Sequence, residues 1–221
     1  MKINIAIDGP SAAGKSTIAK LIAEKYNYCH LDTGAMYRLV AYKALKLGLD
    51  FNNEELIAEM IDGSKISMLP NGDIYLDGDK ISDEIRTNEI SMAASNISKL
   101  AKVRASLVRL QQNIAGDKGY VVDGRDIGSV VLKDAEVKFY LTATVESRAL
   151  RRFKQNQEQN ISNKELVEIE KEISARDYQD THRKNSPLKV CDDAIYVDNS
   201  DMSIDETISL MAKYIDSKIR Q

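Results

Sequence analysis

Gly9-Pro10-Ser11-Ala12-Ala13-Gly14-Lys15-Ser16-Thr17 carries the spacing G-x-x-x-x-G-K-[ST]. That spacing belongs to a loop that wraps phosphate. Glycine reaches backbone conformations closed to other residues and lets the chain approach an anion closely. A helix starting at the end of the loop offers free N–H groups and the positive end of its dipole. Lys15 is placed to reach β- and γ-phosphates, and the Ser16 hydroxyl to ligate Mg²⁺. The flanks agree, with the apolar run Ile3, Ile5, Ala6, Ile7 before the loop and the helical pattern Ile18, Leu21, Ile22 after it. The segment implies a nucleoside triphosphate site.

A second set of chemically capable residues is basic. Arg38 follows an apparent second strand and Arg104 lies on a middle helix. Arg125 follows the apolar strand Tyr120-Val121-Val122-Asp123, Arg148, Arg151 and Arg152 form a cluster, and Arg176 and Arg183 sit late in the chain. Phosphoryl transfer to an acceptor that is already ionised needs no strong base. It needs donor, acceptor and metal held in line while charge is neutralised. Guanidinium groups suit that work because they grip phosphate through paired hydrogen bonds. Asp123, ending its strand, matches the aspartate that holds Mg²⁺ through water in such sites, although a capping acid at a strand end reads the same way. In Gly124-Arg125-Asp126-Ile127-Gly128, a short acid beside an arginine suits a polar base edge better than a metal.

The elements that must position these groups alternate between strand and helix, the pattern of a parallel sheet covered on both faces. Strands are expected over about 2–8, 28–31, 120–123, 137–141 and 194–197. Helices are expected from Lys15 to about Tyr26, through Tyr37, Val40, Ala41, Ala44 and Leu45 with Gly48 ending it, from about Asn88 to Ala115, and from Val145 to about Asn156. A capping box at Ser162 and Glu165 opens a long helix to about His182, and another at Ser203 and Glu206 opens the last helix. Residues 63–86 break the rhythm with three short strands, separated by turns at Asn71-Gly72 and Asp77-Gly78.

Composition narrows the classes. At 221 residues and 43% hydrophobic, one good core is affordable, with a small insert. A net charge of −3 gives no overall attraction to nucleic acid, so phosphate affinity must be local. Cys29 and Cys191 stand far apart and read as reduced structural thiols. No leader or membrane span is apparent, so a soluble cytoplasmic protein is expected, monomeric by default. Asn163-Lys164-Glu165-Leu166 fails the guanine motif N-K-x-D at its decisive position, which disfavours a GTPase.

Taken together, the loop at 9–17, Asp32-Thr33-Gly34-Ala35-Met36-Tyr37-Arg38, Asp123-Gly124-Arg125-Asp126-Ile127-Gly128, and Arg176-Asp177 with Asp180, Arg183 and Ser186-Pro187-Leu188 resemble the bacterial cytidylate kinases over essentially the whole chain. The resemblance implies an α/β phosphate-loop fold with a central parallel sheet, an acceptor-binding insert at roughly 63–86 and a lid at roughly 151–164 within one domain. The core is then roughly 1–62, 87–150 and 165–221. It implies transfer from Mg·ATP to CMP or dCMP, with Lys15, Arg125 and Asp126 as the catalytic set. Arg38 and Arg125 match positions near the acceptor phosphate. Thr33, Arg104, Asp126 and Arg183 match positions around cytosine, with Tyr37 in the same motif. Ser95, Arg176 and Asp180 match sugar contacts. Arg148, Arg151 and Arg152 border the lid, and the resemblance does not assign which of them reaches phosphate. Thr33 stands where many members carry serine, which keeps the hydroxyl. The competing readings are a kinase for AMP, UMP or shikimate, and a nucleotide-binding regulator without rapid turnover.

Overall fold

The computed structural model describes residues 2–69, 73–158 and 164–220. The chain runs β1 (Ile5–Asp8), α1 (Lys15–Tyr26), β2 (Cys29–Asp32), α2 (Thr33–Lys46), α3 (Glu54–Asp62), β3 (Ile66–Met68), β4 (Ile74–Leu76), β5 (Asp79–Ile81), α4 (Asn88–Ile97), α5 (Ala101–Ile114), β6 (Tyr120–Gly124), β7 (Val137–Thr142), α6 (Val145–Glu158), α7 (Leu166–His182), β8 (Ile195–Asp198) and α8 (Ile204–Ile219). The large sheet is parallel, in the order β2-β6-β1-β7-β8, and β3-β4-β5 form a separate antiparallel sheet.

Alternation along the strands builds a core on each face. Ala6, Leu31 and Val122 point into a cluster with Met36, Leu39, Ile97 and Leu107 from α2, α4 and α5. Ile5, Ile7, Val121, Phe139 and Val197 point the other way, against Ile18 and Ile22 of α1 and Met211 and Ile215 of α8. Both faces of the parallel sheet are thus covered, as its apolar strands require. The carboxyl ends of β1, β2 and β6 lie side by side, with Asp32 opposite Asp123 and Ile7 opposite Asp123 in register. This is the rim on which parallel sheets bind ligands.

Local structure departs from the sequence reading in a few places. β1 begins at Ile5 rather than near residue 2. α3 was not expected; Asn53 caps it by accepting from the Leu56 N–H at 3.1 Å, and Ile57 and Ile61 anchor it in the core. The helical stretch after residue 88 breaks at Ser98–Leu100 into α4 and α5. α7 starts at Leu166, where the Glu168 carboxylate accepts from the Glu165 N–H at 3.0 Å. This capping pair sits three residues after the expected one, whose Ser162 lies outside the described residues, as does the turn at Asn71-Gly72. The Asp77-Gly78 turn is present, both residues having positive φ (54° and 98°), the geometry of a tight hairpin. At the amino end of α8, Ser203 and Glu206 exchange hydrogen bonds as expected.

Candidate active site

The phosphate loop leaves β1 at Asp8 and enters α1 through Gly14, whose φ of 87° caps the helix in a left-handed conformation. Gly9 lies so close to β7 that a Cβ there would meet the Leu141 carbonyl oxygen at 1.9 Å. The loop is pinned from outside. The Ser11 N–H donates to Asp177 Oδ1 at 2.9 Å, and the Ala13 carbonyl accepts from Asn199 Nδ2 at 3.3 Å. Ser16 and Thr17 are exposed on the open side, while Lys15 is buried and its ammonium folds back to the Pro10 carbonyl at 2.8 Å. Burial and the neighbouring Arg125 pull the Lys15 pKa down to about 7.

Asp123 sits beneath Ser16. Its Oδ2 accepts from the Ser16 hydroxyl at 2.7 Å, and its Oδ1 meets His30 Nε2 at 2.7 Å. Burial opposes ionisation of Asp123, but the hydrogen bond and charge of His30 outweigh it and hold the carboxyl below its ordinary range. Asp8 is also buried. Its two oxygens accept from the Ile127 and Gly128 N–H groups at 2.8 Å each, yet burial still pushes its pKa up to about 6. Through that clamp the end of β1 fixes a wide helical turn at Ile127–Val131 and, one residue before it, Asp126.

Arg38, Arg125, Arg152 and Arg176 converge in front of the loop. Arg38 is held by Asp32 at 3.1 Å and Arg125 by Asp180 at 2.8 Å. Arg176 Nε is buried with no hydrogen-bond partner. Burial, with the charges of Arg125, Arg152 and Arg38, draws the Arg176 pKa down to about 10. Burial and the same neighbours lower Arg152, which makes no hydrogen bond or ion pair among the described residues. The other two arginines of that stretch are committed elsewhere. Arg148 donates to the carbonyls of Ala143 and Ser11, at 2.9 Å each, and pairs with Asp177. Arg151 donates to the Asn199 side chain and carbonyl at 2.9 and 2.6 Å.

Beside this cationic group is a second pocket, in which one acid is shared by two arginines. Asp126 pairs with Arg104 through Oδ2 and with Arg183 through Oδ1, the latter at 3.5 Å. Arg104 is oriented by the Ser98 carbonyl at 3.1 Å and lies 5.8 Å from the centre of the Tyr37 ring. Arg183 is oriented by the Ser186 carbonyl at 2.8 Å. The Tyr37 hydroxyl and Arg183 Nη2 are buried without hydrogen-bond partners. Native proteins rarely leave such groups unpaired, so the pocket is built for a polar guest. Thr33 closes its floor, its hydroxyl donating to the Asp123 carbonyl at 2.7 Å. Ser95 lies across from α7, bonded to Gln179.

A model of the cytidylate kinase family matches residues 5–217 of this chain. The chain belongs to that family. Among its relatives are proteins named cytidylate kinase from Lysinibacillus sphaericus and Ligilactobacillus salivarius, each 44% identical over 220 residues with 98% of both chains covered. One from Caldicellulosiruptor saccharolyticus is 45% identical over 210 residues, covering 94% of this chain and 92% of its own. In fold, the chain is similar to a shikimate kinase from Bacteroides thetaiotaomicron (TM-score 0.51, 13% identity, 98% and 99% of the two chains covered). It is likewise similar to TT1252 from Thermus thermophilus (TM-score 0.51, 16% identity, 99% and 98% covered).

Sequence reasoning gave no role to Asp8, His30, Asp177, Gln179 and Asn199, which touch the site residues. Asp8 adjoins the loop at 9–17 and Asp177 stands within the quoted Arg176-Asp177 pair; His30, Gln179 and Asn199 carry no local signal. Among the described residues no group of three or more histidine, cysteine or acidic side chains could hold a metal by itself.

The Lys15 shift has a measurable consequence. A lysine whose folded pKa lies below its unfolded value of 10.5 contributes stability above pH 10.5, and that contribution is lost as pH falls through about 7. A polyphosphate in the loop restores the charge, so binding ADP near pH 8 should take up protons. Calorimetry in buffers of different ionisation enthalpy should show this uptake in the parent protein and a clear reduction in Lys15→Met. Equal uptake in both would remove Lys15 as its source.

Proposed function

We propose that this chain transfers the γ-phosphoryl group of Mg·ATP to the 5′-phosphate of CMP or dCMP, giving ADP and CDP or dCDP. The observation that carries this reading is the crowd of Arg38, Arg125, Arg152 and Arg176 beside the phosphate loop, with Asp32 and Asp180 as its paired acids. Such a group is unfavourable by itself and becomes favourable when phosphates enter it.

The chemistry follows from placement. The acceptor phosphate is already anionic, so one of its oxygens attacks Pγ directly; the new O–P bond forms as the bond from Pγ to the bridging oxygen of ADP breaks. The exposed end of α1 receives the donor's phosphates, and Lys15 leaves the Pro10 carbonyl to meet them. Arg38 and Arg125 hold the acceptor phosphate, and Arg152 and Arg176 neutralise charge where the two nucleotides meet. Mg²⁺ suits the Ser16 and Asp123 oxygens, because it favours few protein ligands alongside water and nucleotide phosphate. Bound there it would supply charge neutralisation on the β- and γ-phosphates.

The pocket of Tyr37, Arg104, Asp126 and Arg183 fits the cytosine edge. A carboxylate has about four lone-pair sites, enough to accept from the 4-amino group while both guanidiniums stay bound. The guanidiniums can donate to the ring's acceptors. UMP puts an oxygen where that amine would be, acceptor against acceptor, which is the kind of mismatch a hydrogen-bonding site rejects strongly. Asp126 therefore serves base selection and holds its two arginines. Among the lid candidates, Arg152 is the one that faces phosphate, while Arg148 and Arg151 brace the loop and α6. Excluding water from Pγ asks for closure over both substrates, and the three-stranded sheet β3-β4-β5 and the end of α6 are the modules assigned to that movement.

Two measurements test this. ADP release from Mg·ATP should be stimulated by CMP and dCMP, with UMP at least about 100-fold less efficient in kcat/KM and AMP inactive. Strong release with another acceptor would overturn the pocket assignment, and release stimulated by none would favour the regulator. Separately, Arg152→Ala should lower kcat by roughly 100-fold or more with an unchanged thermal midpoint, whereas Arg148→Ala should lower the thermal midpoint. The reverse pattern would exchange their roles.

A further inference from the structure

Ser11, in the phosphate loop, is gripped from both sides by α6 and α7. Its N–H donates to Asp177 Oδ1 at 2.9 Å, and its carbonyl accepts from Arg148 Nη1 at 2.9 Å. The same Arg148 nitrogen pairs with Asp177 Oδ2, so the three residues close a ring. Arg148 is buried, and a bond from its Nε to the Ala143 carbonyl at 2.9 Å fixes its reach. The residue after Ser11 is conformationally unusual: Ala12 has a φ of 59°. That left-handed region is unfavourable for a residue with a Cβ. Asn27 and Asp77 also enter it, but their short polar side chains can bond locally, and alanine has none. Contacts outside residue 12 must therefore hold it there. Its methyl packs beside Ala149 of α6 and Ile169 and Ile173 of α7, but it is only half-buried.

We propose that Asp177 is a positioning residue for the phosphate loop: with Arg148 it holds the strained turn at Ser11-Ala12 in its binding shape before any anion arrives. This rests on the reading of residues 9–17 as the loop that takes the donor's phosphates. A peptide unit is planar and trans, so the Ser11 carbonyl and the Ala12 N–H point in opposite directions. With the carbonyl held by Arg148, the Ala12 N–H turns away from that side chain, and among the described residues it meets no acceptor. Asp177 fixes the preceding peptide unit through the Ser11 N–H. Two fixed peptide planes leave the backbone between them little freedom, and the left-handed turn persists. Without Asp177 the turn relaxes, and an incoming polyphosphate must restore it at the expense of its own affinity. Glycine reaches the left-handed region readily. The loop's dependence on Asp177 therefore resides in the Cβ of Ala12.

The test is a double-variant cycle of the parent, Asp177→Ala, Ala12→Gly and Asp177→Ala/Ala12→Gly, each titrated calorimetrically with Mg·ADP and with CMP. Asp177→Ala should weaken ADP binding about tenfold in the parent background, close to the strain of one left-handed residue, and less than about threefold in the Ala12→Gly background. The glycine also gives up the methyl's packing, a smaller effect than the strain it removes because that methyl is half-buried. Asp177→Ala should change CMP affinity less than about twofold. A general loosening of α7 would not respond to residue 12, and it would weaken CMP as well, since Arg176 and Asp180 ride on that helix. Equal ADP losses in both backgrounds, or a CMP loss as large as the ADP loss, would overturn the proposal. Where the alanine variant is too unstable to titrate, Asp177→Asn replaces it. Its amide oxygen still accepts from Ser11 while its nitrogen opposes Arg148, so a loss of about threefold is expected, again smaller with Ala12→Gly; an undiminished loss would overturn the proposal. A parent protein that binds CMP but not Mg·ADP would instead overturn the reading of the loop, and the inference with it.

Discussion

Mutual repulsion among Arg38, Arg125, Arg152, Arg176 and Lys15 is the constraint to which the rest of the structure answers. At an effective dielectric constant near 20, two unit charges several ångströms apart repel by roughly 2–4 kcal/mol. Burial is the main cause of the lowered pKa values of Lys15, Arg152 and Arg176, and the neighbouring cations add to it. Arg38 is held by Asp32 at the tip of β2 and Arg125 by Asp180 of α7, and the helices α6 and α7 that carry Arg152 and Arg176 are joined by the Arg148–Asp177–Ser11 junction. In the proposed reaction the phosphates of both nucleotides relieve this repulsion, and relief is greatest when both are present.

The phosphate loop and the pocket around Asp126 are also joined through backbone. Asp8 ends β1 at the start of the phosphate loop, yet its carboxylate grips the N–H groups of Ile127 and Gly128 beside Asp126. Asp123 ends β6, with its side chain under Ser16 and its carbonyl on Thr33. The phosphate loop and the Asp126 pocket therefore share two strand ends, and displacement of either strand would disturb both.

Much of this was legible in the sequence. The loop at 9–17, the order of strands and helices and the three-strand insert follow from spacing, periodicity and turn residues. The grouping of Arg104, Asp126 and Arg183 was expected from family resemblance and is found as one ion-paired cluster. What resisted reading depends on contacts between residues distant in the chain. The three arginines of α6 look alike in sequence; tertiary contacts separate them, because Arg148 meets Ser11 and Asp177, Arg151 meets Asn199, and Arg152 stands near Arg38, Arg125 and Glu172. His30 on Asp123 and Gln179 on Ser95 join residues 93 and 84 positions apart, which no local pattern encodes. α3 escaped notice because its buried face is only Ile57 and Ile61.

The central claim is that phosphate, more than base or sugar, is what the arginine group awaits. Calorimetric titration with CMP and with cytidine tests it most directly. The account predicts that removing the phosphate weakens binding by at least about 100-fold, close to 3 kcal/mol, and that the CMP affinity alone falls steeply with added salt. Similar affinities for nucleoside and nucleotide, with no difference in salt dependence, would contradict it.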